Sequence, residues 1–520
     1  MPTDYPEFFN DVFGPVMQPG SSSHTAGPCR LGALAFQLLG GQKPAEIRIQ
    51  LDRNGSFAGT FGLMREDLGM LAGAWGLTPD DERMFDIRQI LADEGVPYSF
   101  EYVDFPAGSH PNAVRFVLSD SQGQRYSLMG NSTGGGMVET VEVQGIPCRY
   151  NGNAHLTCLR TEASEEIFRA LDGVLRVETV VDERRVHHVL LHSEAAIQPE
   201  HLPGNVIFQF EPILSVQLTA RRESQLFDSF DPWIRYSEAH GLTLSEAAIE
   251  YERRASGWTK DQIVDTMRAI QASMNRQTES VYADETGLLE TPYTGFHFRL
   301  WRDYAHSCLP LVGPVVARAM HYAFGVQALV RGVKLVPGPM GTGGGYLYSA
   351  MRAVQDARNL PDAALLDALF IAAGVGAIAY TRTNPTGEVT GCAGECGVCG
   401  AMAAAAITYM TGGSPRQVEA AASLTLQVAL GWPCDPIPGG QNQPCMSRVL
   451  TAVVMSIVFS DAAMSVRDAV LPFHEMVDAM DEMGRGMSSD LLCTSRGGMC
   501  TTPTARRSRR EFQDWYKSIL

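Results

Sequence analysis

Between Gly391 and Cys445 the chain carries five of its eleven cysteines: Cys392, Cys396, Cys399, Cys434 and Cys445. The residues between them constrain the local fold. After Cys399 the run GAMAAAAITYM is a strong helix former that stops at Gly412–Gly413. Ser414 then offers an N-cap, Pro415 a first helical position, and Gln417 the closing partner of a capping box. The second helix runs to the region of Leu430 and stops at Gly431, with Pro433 beyond. A two-residue link between apolar helices predicts an antiparallel pair. The second helix, about 24 Å long, returns the chain to the start of the first and delivers Cys434 beside Cys392, Cys396 and Cys399. The loop DPIPGGQNQP then folds Cys445 back to the same place before another apolar helix begins near Arg448. One site at one end of a helical hairpin is expected.

The chemistry of that site follows from the donors. Clustered cysteines, odd in total number, suit soft-metal ligation in a reducing cytoplasm rather than a disulfide framework. An iron–sulfur cluster is favoured over zinc, because zinc sites pair C-x-x-C knuckles and only Cys396–Cys399 makes one here. Structural burial is the plainer alternative, and it is the reading for Cys29, Cys148, Cys158 and Cys308.

A chain of 520 residues exceeds one ordinary core and implies two or three domains. The net charge of −17 argues against nucleic acid or an anionic membrane surface as a partner. The Arg506, Arg507, Arg509, Arg510 segment is too brief to alter that and reads as a solvated surface. The first seventeen residues do not have the pattern of a secretory signal. Ile371–Ala379 and Val449–Phe459 read as buried helices too short to span a bilayer.

Three textures divide the chain. Residues 1–152 mix β-like runs (Ile47–Leu51, Ala113–Val117, Val138–Val143) with helical segments (Arg30–Leu39, Asp81–Glu94) and predict an α/β domain. Residues 153–222 read as strand, helix and two strands, the order of a small regulatory ligand-binding module or equally of packing filler, followed by a connection broken at Pro199, Pro203 and Pro212. Residues 223–520 are helical, with Gly-rich interruptions at Pro337–Tyr346 and at the cysteines. The fold class is therefore multi-domain α+β, an α/β domain followed by a mainly helical one that carries the cluster site.

The cysteine motifs, Gly391-Cys392-Ala393-Gly394-Glu395, Cys434-Asp435-Pro436 and Pro444-Cys445, resemble those of the bacterial iron–sulfur-dependent L-serine dehydratases, and their intervals of 42 and 11 positions look like that family's. The N-terminal part resembles the family's second domain through Val12–Pro15, Gly20–Gly27, Gly55–Ala58, His110–Asn112 and Gly134–Gly136. Gly497–Pro503 resembles the family's C-terminal ending. The order resembles a fusion of two polypeptides that some bacteria make separately. The resemblance implies a [4Fe-4S] cluster on Cys392, Cys434 and Cys445, with Cys396 and Cys399 as neighbouring thiols. It implies a small amino-acid substrate, and a cytoplasmic homodimer is expected.

Three protein ligands leave one iron free to act as a Lewis acid, so the resemblance implies elimination of water and ammonia without pyridoxal phosphate. His24 is the first candidate for proton transfer, with a helix-capping role as the alternative. Ser21, Ser22, Ser23 and Thr25 are expected to contact substrate, although a serine run can also be an N-cap. His110 is a polar contact or a loop brace, and Gly135 belongs to the same expected substrate region. Asn384 and Thr386 precede the first ligand closely. Glu395 either braces the ligand loop or acts as a base. Gly341–Gly345 lacks the GK[ST] of a phosphate loop and reads as a close backbone approach. Cys493 or Cys500 as a cap on the resting cluster is conceivable but disfavoured, because twenty residues follow Cys500, and the roles of both stay open.

Departures from the family concern the substrate. Pro19-Gly20 inverts the usual Gly-Pro, Gly62–Asp67 reads GLMRED where a GHGTD-like histidine is expected, and Val336–Gly343 and Thr383–Gly387 differ as well. L-Serine leads, with a lyase of another leaving group, such as thiol from cysteine, a redox sensor and a zinc scaffold as the other readings.

Overall fold

In Glu46–Asp52 apolar and polar residues alternate, and strand β1 forms there with Ile47, Ile49 and Leu51 fully buried. The structure, a computed structural model, describes residues 5–280, 298–307, 309–327, 329–438, 445–465 and 470–519. It divides into two units: Ser23–Glu223, and the chain up to Ser22 together with everything from Ser224.

In the Ser23–Glu223 unit, β1 joins β2 (Tyr98–Val103), β3 (Ala113–Ser119), β4 (Arg125–Gly134), β5 (Met137–Val143) and the short β6 (Ile146–Pro147) in the order β2-β1-β3-β4-β5-β6. Only β1 and β2 pair in parallel, and a parallel pair needs a crossover. That crossover holds the helices Ser56–Thr60, Glu66–Ala74 and Ile87–Asp93. The helix Gly27–Gln37 crosses the helix Glu66–Ala74 at glycines. A side chain on Gly69 would strike Thr25, and one on Gly73 would strike Cys29. This close crossing sets the turn that carries His24 beside the start of the Glu66 helix.

Residues 155–210 of the same unit form a second sheet from β7 (His155–Arg160), β8 (Val174–Val181), β9 (His187–Ser193) and β10 (Asn205–Phe210). Its order is β10-β7-β9-β8, antiparallel throughout, with the helix Glu165–Arg169 between β7 and β8. Leu159, Phe168, Val177 and Leu191 make a core of its own, while Leu156, Cys158, Leu190 and Phe208 join the core of the first sheet. Strand β10 corrects the expectation of an irregular connection. Pro203 and Pro212 stand outside its ends, where a missing N–H costs no ladder bond.

In the other unit the N-terminal residues pack on helices. The Tyr5 hydroxyl donates to Tyr251 O at 2.9 Å, the Phe8 amide donates to Glu252 Oε2 at 2.7 Å, and the Phe8 and Tyr251 rings stack. Asp362–Arg382 and Val398–Met410 are buried almost all round, which explains their apolar faces. The segments read as too short for a bilayer lie in longer helices. Asp362–Arg382, the continuous Gly387–Met410 stretch and Cys445–Met464 are each long and apolar enough to cross one, with 78%, 94% and 44% of the apolar window buried inside the protein. Cys308 lies outside the described residues.

Candidate functional site

The expected hairpin is present. Val398–Met410 and Pro415–Ala429 are helices, and Ser414 and Gln417 complete the capping box between them. They run antiparallel, since Gly397 meets Leu426 and Ala429 while Gly400 meets Thr425. The cysteine segment is not the Gly-rich interruption expected of it. Helix Gly387–Cys392, kinked at Gly391 with φ of 65°, runs into a π-helical turn, Ala393–Gly397, and then into Val398–Met410. The helix Gly343–Arg358 likewise begins inside the other Gly-rich run. Side chains on Gly344 and Gly345 would meet Val336, Met274 and Gln277 at 3.0 Å or less, so these glycines serve close packing rather than a loop.

Cys392 ends its short helix, and Gly391 lies against Trp432, which brings Cys434 alongside. The Sγ atoms of Cys392 and Cys434 and a Glu395 carboxyl oxygen all fall within 4.8 Å of one another. Cys445 is the first residue of the helix Cys445–Met464, and Arg448, one turn on, shares its face. Arg448 Nη1 donates to Asp435 Oδ1 at 2.7 Å, and the Met499 amide donates to Asp435 Oδ2 at 2.9 Å. A further thiol arrives from the C-terminal region. Cys434 and Leu492 form a parallel bridge, with the Cys434 amide donating to Leu491 O at 2.8 Å and the Cys493 amide to Cys434 O at 2.7 Å. Cys493 is buried, with φ of 59°, and its thiol reaches that of Cys434. Twenty residues follow Cys500, and the bridge brings Cys493 to Cys434 from mid-chain without a free end. Pro444 and the preceding loop lie outside the described residues.

One thiol stands apart electrostatically. Hydrogen bonds from Cys396 and Cys434, and then the Arg448 guanidinium, hold the Cys392 thiol well below its usual range despite burial. Its negative charge pushes the others up. Cys396 and Cys434 are raised first by hydrogen bonding to Cys392, and Cys445 first by burial and then by Cys392. Cys396 Sγ lies 3.9 Å from Cys392 Sγ, whereas Cys399 Sγ turns away to Gly343 O at 3.1 Å and burial raises its thiol to about 12.

The other expected residues fall in two places. Asn384 and Thr386 form the turn entering the Gly387–Cys392 helix, where Asn384 O accepts from the Thr386 amide at 2.8 Å. Glu395 is half-buried beside Cys392 and Cys434. The backbone of Gly20–Ser22, and with it Ser21, packs on Gly341, and neighbouring Met340 Sδ lies 3.8 Å from Cys396 Sγ. In the Ser23–Glu223 unit, His24 is fully buried, with Nδ1 2.9 Å from Ser23 Oγ and Nε2 2.9 Å from Ser56 Oγ. The Thr25 hydroxyl donates to Met64 O. His110 Nδ1 accepts from the Asn112 amide at 3.1 Å, and Gly135, with φ of 59°, turns β4 into β5. The helix Gly27–Gln37 takes no side-chain cap from the serines or His24. A π-helical turn, Ser22–Ala26, leads straight into that helix. Asp435 and Arg448 were missed as a pair, although a CDP motif and an Arg three residues after Cys445 were both visible.

Residues 239–500, half of the chain and the whole thiol site, match the model of the serine dehydratase alpha chain. The chain belongs to that family. The L-serine dehydratase alpha chain of Peptoniphilus asaccharolyticus is 29% identical over 277 residues, covering 52% of this chain and 93% of the relative. The beta chain of the same organism is 34% identical over 150 residues, 29% of this chain and 65% of that one. L-serine dehydratase 1 of Escherichia coli K12 is 37% identical over 134 residues, 25% of this chain and 29% of the relative. The beta-chain likeness lies N-terminally and the alpha-chain likeness C-terminally, so a single serine dehydratase polypeptide carries both in series.

Proposed function

We propose that this serine dehydratase is an L-serine ammonia-lyase holding a [4Fe-4S] cluster on Cys392, Cys434 and Cys445. The observation that carries the reading is the gathering of these thiols from three separate elements beside the half-buried Arg448. The donor set fits the group. Thiolates are the soft ligands it takes, Cys392 is already depressed toward the thiolate, and Arg448 offsets the charge that more thiolates would bring. Gly387 leaves space beside them, because a Cβ there would stand 2.8 Å from Cys434 Sγ. When bound, a cluster with three protein ligands supplies a Lewis acid for the β-hydroxyl of the substrate.

The chain's own residues supply the rest. Asn384 and Thr386, in the turn that leads into the Gly387–Cys392 helix, offer an amide and a hydroxyl to the amino-acid head group. Glu395, with a carboxyl oxygen within 4.8 Å of the Cys392 and Cys434 Sγ atoms, takes the part of proton carrier or brace there. His24, with both ring nitrogens on serine hydroxyls, has the chemistry of an acid–base group. Loss of water leaves an enamine, which tautomerises and hydrolyses to pyruvate and ammonia. The test is anaerobic purification with iron and sulfide analysis, followed by measurement of pyruvate from L-serine. Iron-free protein after anaerobic reconstitution would end the cluster assignment. A loaded protein that makes no pyruvate would end the substrate assignment.

A further inference from the structure

The GLMRED segment, where the family resemblance leads one to expect a histidine, places an acid inside the protein instead. Glu66 is fully buried at the first position of the helix Glu66–Ala74. Its Oε2 accepts from the Met64 amide at 3.0 Å, and its Oε1 lies 2.9 Å from Thr60 Oγ1. Thr60 Oγ1 also lies 2.9 Å from Ser56 O. A carbonyl oxygen can only accept, and a threonine hydroxyl has one proton to give. If Thr60 donates to Ser56 O, a carboxylate at Glu66 would face Thr60 with lone pair against lone pair. A neutral carboxylic acid at Glu66 satisfies both contacts, donating to Thr60 while Thr60 donates to Ser56.

Ser56 is the residue whose hydroxyl meets His24 Nε2. We propose that Glu66 is a positioning residue that keeps a proton in the folded protein and so fixes Ser56, and through it His24. The surroundings agree. Burial raises the carboxyl to about 8 against an ordinary 4.5 and Asp67 adds to the rise, although His24, a backbone amide and the Thr60 hydroxyl oppose it. Asp67 is itself paired with Arg88, and Tyr102 is the other titratable group facing the two acids. Arg65 precedes Glu66 on the same segment, with φ of 58°. A helix start would favour the ionised form, but burial outweighs it here.

The sign of the pH effect follows. Between the ordinary value and about 8 the unfolded chain has released this proton and the folded one has not, so folding stability falls as pH rises. Glu66→Gln keeps the donor and the acceptor but cannot titrate. In the full-length chain, the folding equilibrium constant of Glu66→Gln relative to wild type should climb by up to about tenfold per pH unit from about pH 5 to about pH 8. In histidine-labelled protein the His24 ring signals, assigned with His24→Gln, should stay in place in Glu66→Gln and shift in Glu66→Ala. A stability ratio that does not change with pH, or a Glu66→Gln protein whose His24 signals move as far as those of Glu66→Ala, would overturn the proposal. Both readouts need neither cluster nor substrate, so they stand apart from the lyase reading.

Discussion

Thiols of equal burial behave in opposite ways in the two units. In the Ser23–Glu223 unit, Cys29, Cys148 and Cys158 are buried among apolar side chains, and desolvation pushes all three far up. In the helical unit Cys392 is just as buried, yet it is held well down, because two thiols and then an arginine turn toward it. Burial penalises the charged form in both places, and only the partners differ. The difference separates a thiol that is only a small hydrophobe from one poised toward the thiolate, without appeal to its position in a motif.

The strongest way to break this contrast is to delete thiols on each side of it. Cys392→Ala, Cys434→Ala and Cys445→Ala should each abolish anaerobically bound iron, while Cys158→Ala and Cys399→Ala should keep it. Iron content of the purified variants decides the matter, and full retention in Cys434→Ala would remove that residue from the ligand set. Cys396 and Cys493 sharpen the same comparison. Both touch a thiol of the proposed ligand set but are assigned no iron, so their alanine variants should hold iron at the wild-type level.

Arg448→Met comes next in size. It strands Asp435, whose carboxylate is 3% exposed and pairs with Arg448 at 2.7 Å. Breaking a buried pair from one side costs about 3 kcal/mol or more, which urea unfolding would register. It also removes a cation from Cys392. In cluster-free protein at neutral pH, alkylation of Cys392 by iodoacetamide should slow in Arg448→Met, since less of the thiol is ionised. An unchanged rate would mean that Cys396 and Cys434, the larger influences, hold Cys392 down alone.

The helical hairpin was legible because its signals are local. Ser414, Pro415, Gln417 and the glycines at 412 and 413 set the ends of both helices by themselves. Strand β1 was legible through alternation, and β10 was not, because the prolines around it look the same whether they flank a strand or break one. The site was half legible. The meeting of Cys434 with Cys392 could be read from the helix punctuation, while Cys493 reaches Cys434 only through a bridge between segments nearly sixty residues apart. No periodicity announces such a bridge. Glu66 was invisible for a related reason. An acid in GLMRED reads as a solvated loop until the crossing at Gly69 and Gly73 is known to bury it.

The smallest effect tests the sign of the contrast itself. Burial raises Cys148 from an ordinary 9.0 to about 12. Above the ordinary value the unfolded chain loses this proton while the folded one keeps it, so stability falls with pH by about 1.4 kcal/mol per unit. Cys148→Ala gives up about 1 kcal/mol of buried contact at neutral pH but escapes that fall. Its deficit against wild type should therefore close by about pH 10. Cys392 is depressed in the folded state, so its contribution is complete above the ordinary thiol value and is lost as pH drops through the folded one. The deficit of Cys392→Ala should accordingly widen as pH rises toward that value. Urea unfolding of the cluster-free variants at pH 7 and about pH 10 measures both. If the two deficits move in the same direction, desolvation alone governs these thiols and the partners gathered around Cys392 do not set its charge.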